Sequence, residues 1–241
     1  MKFNEYKINS NYILNKLANT MFWESKKGIS LQVLLVLIPP VFFLKSTFLL
    51  LGLFISTLLA WGMLRLRNKR WKDVGLHKPE NVRRLLLVTV IATAILFPLS
   101  SAVKQMVIYL TGAMPNLEDF SAIHGNLAAL AVGLFVAWFF GAFLEEFFFR
   151  GYLQNALHTF CSKIGCSHWV AWTMAILATS VCTGIGHFYQ GITGMLTAGF
   201  IAVGFSVIYL INRRNLWASM LAHGVYNTVA FLFVYWGIIT T

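Results

Sequence analysis

The sequence predicts an all-α, polytopic transmembrane bundle of about seven spans, and three observations predict it. The chain has 241 residues, of which 58% are hydrophobic and 11% charged, far below the roughly 25% charged residues of a soluble domain. Apolar runs recur along its length, each near the ~20 residues that a helix needs to cross a bilayer. The basic residues collect on alternate connections, as the positive-inside rule requires. Together these leave no room for a separate soluble domain.

The runs fall at 29–44, 46–64, 85–111, 125–149, 168–187, 191–211 and 215–239. The first holds Pro39-Pro40, and only Lys45-Ser46-Thr47 separates it from the second. These two are either full spans or a re-entrant hairpin, which would leave five crossings. Residues 1–28 are expected to form a retained amphipathic lead, because they lack the apolar stretch and small-residue site of a signal peptide. Residues 29–241 are expected to form one transmembrane domain.

Threading the chain with a cytoplasmic N-terminus explains its net charge of +11. Lys2, Lys7, Lys16, Lys26 and Lys27 lie in the lead, and eight more basic residues lie between Arg65 and Arg84. With Arg150, Lys163, Arg213 and Arg214, 17 of the 19 basic residues fall inside, leaving Lys45, Lys104 and the acidic Glu118-Asp119 loop outside. The charge is thus a topology signal and a contact with anionic lipid, and no nucleic-acid partner is needed to account for it. The expected location is a bacterial plasma membrane.

The informative polar residues are those inside apolar runs, because a carboxylate in hydrocarbon costs at least about 2.5 kcal/mol. Glu145 and Glu146 stand between two aromatic blocks in Phe-Phe-Gly-Ala-Phe-Leu-Glu-Glu-Phe-Phe-Phe-Arg-Gly. Glu146 and Arg150 are spaced i,i+4 in the favourable acid-first order for an ion pair. Glu145 points about 100° away and is a candidate proton acceptor. His187 closes the fifth run, and His223 sits one turn before Asn227 in the seventh.

Glu145 and His187 are each 21 residues from Cys166 in the turn near Gly165-Cys166-Ser167, so an antiparallel hairpin sets them level, about 30 Å above that turn. His223 lies only about 13 Å above the turn at Arg214 by the same rise. The three meet if the first hairpin projects about 15 Å into the cytoplasm, and the polar segment 151–167 permits it. The three cysteines, Cys161, Cys166 and Cys182, match no metal motif and read as free thiols. His77, His124, His158 and His168 read as loop or interfacial residues.

Glu-Glu-x-x-x-Arg in an apolar helix, a Gly-rich helix end carrying His, and His-x-x-x-Asn in a late helix together resemble the CPBP family of intramembrane proteases. These are the Ras-converting CAAX prenyl endopeptidases and their bacterial Abi or bacteriocin self-immunity relatives. The resemblance covers about 125–239, the last four spans, and the stretch at 71–79 looks like the loop before this core. It implies that Glu145 and His187 activate the attacking water, that His223 and Asn227 steady the oxyanion, and that Glu146 and Arg150 support the site. Thr183 stands where the family usually has Phe, four residues before the motif's His.

A zinc ion held by Glu145, His187 and His223 and a metal-free glutamate mechanism both remain open, with the second preferred because no His-Glu-x-x-His is present. The expected substrate is a peptide or membrane protein, prenylated or not, and the C-terminal Thr-Thr carries no prenylation motif of its own. The alternative function is a non-hydrolytic bacteriocin-immunity or partner-binding protein. A proton-relay transporter using Glu145 is disfavoured by the absence of an inverted repeat.

Overall fold

The computed structural model describes residues 20–44 and 48–239. The lead up to residue 19, with Lys2, Lys7 and Lys16, and residues 45–47, with Lys45, lie outside the described residues. Among the described residues are seven helices of 17 residues or more. They are α1 (Lys26–Phe42), α2 (Leu49–Leu66), α3 (Val82–Thr111), α4 (Leu127–Lys163), α5 (His168–Gly186), α6 (Gly191–Ile211) and α7 (Leu216–Tyr235). Six of them, α2 to α7, are long and apolar enough to cross a membrane, and the chain is a multi-pass membrane protein. The first apolar run is the short helix α1, with Pro39 and Pro40 in its last turn, laid against α2 so closely that a Cβ at Gly52 would stand 2.9 Å from the Pro39 carbonyl oxygen.

Helix starts follow local chemistry. Ser25, Asn81, Asn126, Ser167 and Asn215 each accept a hydrogen bond from a backbone N–H in the first turn of the helix that follows, satisfying donors that the helix itself cannot. The outward faces are apolar: Val90, Ile91 and Ile95 of α3 are each more than half exposed, which suits contact with lipid chains. Facing inward are the polar residues, including Glu146, Arg150, Thr179 and Ser206.

Helix α4 is one unbroken rod of 37 residues, about 50 Å long, against a hydrocarbon core of about 30 Å. Its C-terminal end pairs with α5 across the turn at Gly165 and also packs against α1. Its middle is not a regular α-helix. Ala137–Glu145 and Phe147–Leu153 are π-helical turns on either side of Glu146, a winding that occurs mostly at functional sites.

The basic connection between α2 and α3 docks beneath the α6–α7 turn. Leu216 N–H donates to the Gly75 carbonyl at 2.9 Å, Asn215 Nδ2 donates to the His77 carbonyl at 3.1 Å, and Arg213 pairs with Glu80. Gly75 is required here: its φ is +99°, and a Cβ would run into the Arg214 carbonyl. Charge counting misassigns one basic residue. Arg150 is 1% exposed and belongs to the interior of the bundle, so it does not contribute to the cytoplasmic surface charge.

Candidate active site

The interior of the bundle is organised around Glu146, which is 0% exposed. Arg150 Nη1 lies 3.0 Å from Glu146 Oε1, the i,i+4 pair the spacing predicts. The same oxygen accepts a hydrogen bond from His223 Nδ1 at 2.9 Å, a contact across 77 positions of sequence. Arg150 Nη2 also donates to the Ala202 carbonyl at 2.8 Å. Helices α4, α6 and α7 are thereby tied at one level by charge-assisted bonds, which are roughly twice as strong as neutral ones. Phe205 stacks on the His223 ring, with centroids 4.5 Å apart and an interplanar angle of 23°.

These bonds decide which ring atom of His223 faces the site. With Nδ1–H given to a carboxylate, Nε2 remains for chemistry. As a neutral ring His223 presents Nε2 as an acceptor, and as an imidazolium it presents a donor. A Cβ built on Gly141 would lie 3.5 Å from His223 Nε2 and 3.2 Å from Asn227 Nδ2. Both nitrogens therefore converge on the space above Gly141. Glycine there leaves that space open.

His187 follows the last turn of α5. Its Nδ1–H donates to the Thr183 carbonyl at 2.9 Å, since a carbonyl can only accept, and this leaves Nε2 as the acceptor of the neutral ring. Tyr189 stacks beside it at 5.9 Å. The contact uses the backbone of Thr183, whose hydroxyl is separately bonded to the Thr179 carbonyl at 3.0 Å. The orientation of His187 thus does not depend on which side chain stands at 183.

Glu145, Arg150, His187, His223 and Asn227 all line a single cavity of about 310 Å³. Glu146 lies behind the wall and holds two of them. Thr183, Phe205 and Gly141 line the same space. The role of Gly141 escapes sequence reasoning, although it stands one turn before Glu145. Its only signal is a small residue in an aromatic block.

Among the described residues no group of three or more His, Cys, Asp or Glu side chains is placed to hold a metal ion. Glu145, His187 and His223 share a cavity without converging as ligands.

Residues 127–229 match the family model described as type II CAAX prenyl endopeptidase Rce1-like. The matched segment runs from the start of α4 to two residues past Asn227, and so contains Glu145, Arg150, His187, His223 and Asn227. No curated protein and no solved structure gave a match.

Proposed function

Because residues 127–229 match the family model described as type II CAAX prenyl endopeptidase Rce1-like, we propose that the chain is an intramembrane endopeptidase whose water nucleophile is activated by Glu145 and His187. Supporting this reading is the convergence of Glu145, His187, His223 and Asn227 on one cavity inside an otherwise apolar bundle. Water held between the Glu145 carboxylate and His187 Nε2 gives up a proton as its oxygen bonds to the scissile carbonyl carbon. Asn227 Nδ2 and a protonated His223 Nε2 donate to the carbonyl oxygen as it gains negative charge. The C–N bond then breaks, and the proton taken from water passes to the departing amine.

Glu146 and Arg150 act as positioning residues. The carboxylate of Glu146 balances positive charge on the His223 ring, and Arg150 in turn balances that carboxylate and anchors it to α6. In this reading no step is routed through a metal ion. The substrate is a peptide segment, and prenylation of that segment is part of the same proposal.

The test is hydrolysis of peptide or membrane-tethered substrates by purified protein carrying Glu145→Ala or His187→Ala. Loss of at least about a hundredfold in kcat is expected for either. Cleavage at the wild-type rate by both variants overturns the reading.

A further inference from the structure

A second cavity, of about 340 Å³, lies at the end of the bundle where α3 and α7 begin and α6 ends. His77, Glu80 and Arg84 line it from the α2–α3 connection and the start of α3, and Asn212, Arg213 and Asn215 line it from the α6–α7 turn. It shares no residue with the cavity that holds Glu145 and His187. Its volume falls in the range of small-molecule sites.

Its side chains suit an anion. The two segments that form it, residues 77–85 and 212–215, carry Lys78, Arg83, Arg84, Arg213 and Arg214 against a single acid, Glu80. Glu80 is already paired with Arg213, and among the described residues no acid is paired with Arg84. A guanidinium without a counter-ion offers a planar fork of N–H donors that matches phosphate geometry. Neutral donors stand beside it. Asn212 gives one amide hydrogen to the Ile208 carbonyl at 2.9 Å and keeps the other. His77 engages only Nδ1, which lies 3.3 Å from Asn215 Nδ2 and 3.2 Å from the Lys78 carbonyl oxygen, so among the described residues its Nε2 has no partner.

The place of the cavity points to what carries the anion. Ends of membrane-spanning helices lie at the level of lipid headgroups. From this end α3 and α6 cross the bilayer with exposed apolar side chains, Val82, Leu86 and Val90 on the first and Val207 and Ile211 on the second, a surface for acyl chains beside a pocket for a phosphate. Leu85 links the two regions, since it lines the cavity and belongs to the same core cluster as Ile208 of α6. The two sides of the cavity are tied together: Asn215 Nδ2 donates to the His77 carbonyl at 3.1 Å, and Leu216 N–H donates to the Gly75 carbonyl at 2.9 Å. The lining is thus held by bonds of the fold itself.

We propose that this cavity binds the phosphate group of an anionic phospholipid, with Arg84 as the principal contact and Asn212 and His77 as neutral donors. Such a site differs from the general attraction of a basic segment to anionic lipid, because it depends on Arg84 in particular. Arg83, adjacent and of equal charge, does not line the cavity. Glu80 opposes the ligand, since it occupies Arg213 and adds negative charge to the wall. The inference is independent of the endopeptidase reading and of which face of the membrane this end occupies.

Lipid titration of the purified full chain in an uncharged detergent, followed by native mass spectrometry, tests it. The probes are phosphatidylglycerol, phosphatidylcholine with the same acyl chains, and inorganic phosphate as a competitor. Phosphatidylglycerol is expected to bind at least about tenfold more tightly than phosphatidylcholine, and Arg84→Gln to weaken it by about tenfold or more. Arg83→Gln, which removes the same charge, should change the affinity by less than about threefold. Glu80→Gln should tighten binding by about threefold or more, a change in the direction that misfolding cannot produce. Displacement of the lipid by inorganic phosphate would assign the site to the phosphate alone, and failure to displace it would assign the site to the intact lipid; either sustains the proposal. Equal losses in Arg84→Gln and Arg83→Gln, or equal affinity for the two lipids, overturn it.

Discussion

One carboxylate oxygen of Glu146 serves two partners: Oε1 lies 3.0 Å from Arg150 Nη1 and 2.9 Å from His223 Nδ1. The first contact is local to α4 and the second joins α4 to α7, so a single buried atom sets both the packing of the bundle and the tautomer of His223. Removing one partner leaves the others desolvated and unbalanced.

Arg150→Ala should therefore destabilise the protein by about 3–5 kcal/mol, the range for breaking a buried ion pair. Glu146→Gln keeps the shape and an acceptor for His223 Nδ1 while removing the charge. It should lower kcat by about a hundredfold, the scale of losing one oxyanion donor, with a smaller loss of stability than Arg150→Ala. Thermal unfolding in detergent and single-turnover cleavage separate the two effects.

Gly141→Ala places a methyl 3.2 Å from Asn227 Nδ2 and 3.5 Å from His223 Nε2. The carbonyl oxygen of a substrate would have to occupy the same space. Activity should fall about ten- to a hundredfold with the melting temperature nearly unchanged, a combination read from parallel kinetic and thermal measurements. Equal losses of both would mean that the glycine serves packing alone.

Thr183→Ala should leave cleavage within about twofold of wild type. His187 is oriented by the backbone carbonyl of residue 183, and the threonine hydroxyl bonds to its own helix at Thr179, an arrangement that contributes little in a helix interior. A loss in kcat beyond tenfold at unchanged stability would show that the side chain takes part.

Gly224→Ala drives a methyl into the ring of Trp138, whose Nε1 also donates to Thr228 Oγ1 at 3.1 Å. Overpacking of this kind costs about 1–3 kcal/mol. The double variant Gly224→Ala, Trp138→Ala should be more stable than the sum of the single losses, because the two side chains share one space. Additive losses would contradict the contact.

Features carried by neighbours along the chain are legible in the amino-acid sequence alone. The Glu146–Arg150 pair follows from i,i+4 spacing, and the Ser and Asn residues that cap helices stand where their side chains reach the first turn. His223 with Asn227 is another one-turn relationship. The common level of Glu145 and His187 also follows from helix rise, each being 21 residues from Cys166, whereas His223 joins them only on the added condition that the first hairpin projects.

Features that depend on rotation about helix axes are not legible there. Nothing local assigns His223 Nδ1 to Glu146 across 77 positions, or brings Gly141 beneath His223 and Asn227. The π-helical turns on either side of Glu146 have no signature in composition, and they alter which side chains of α4 face inward. Arg150 counts with the cytoplasmic charges by its position in the chain, near that end, whereas tertiary packing buries it.

The amino-acid sequence by itself determined the membrane class, the approximate spans, the side on which charge collects and the residue types available for chemistry, since each depends on transfer free energy or on spacing within one helix. Only the tertiary structure decided that Glu146 also holds His223, and which ring nitrogens of His187 and His223 face the cavity. Those outcomes arise from contacts between helices, where an aromatic layer and one glycine settle the available space.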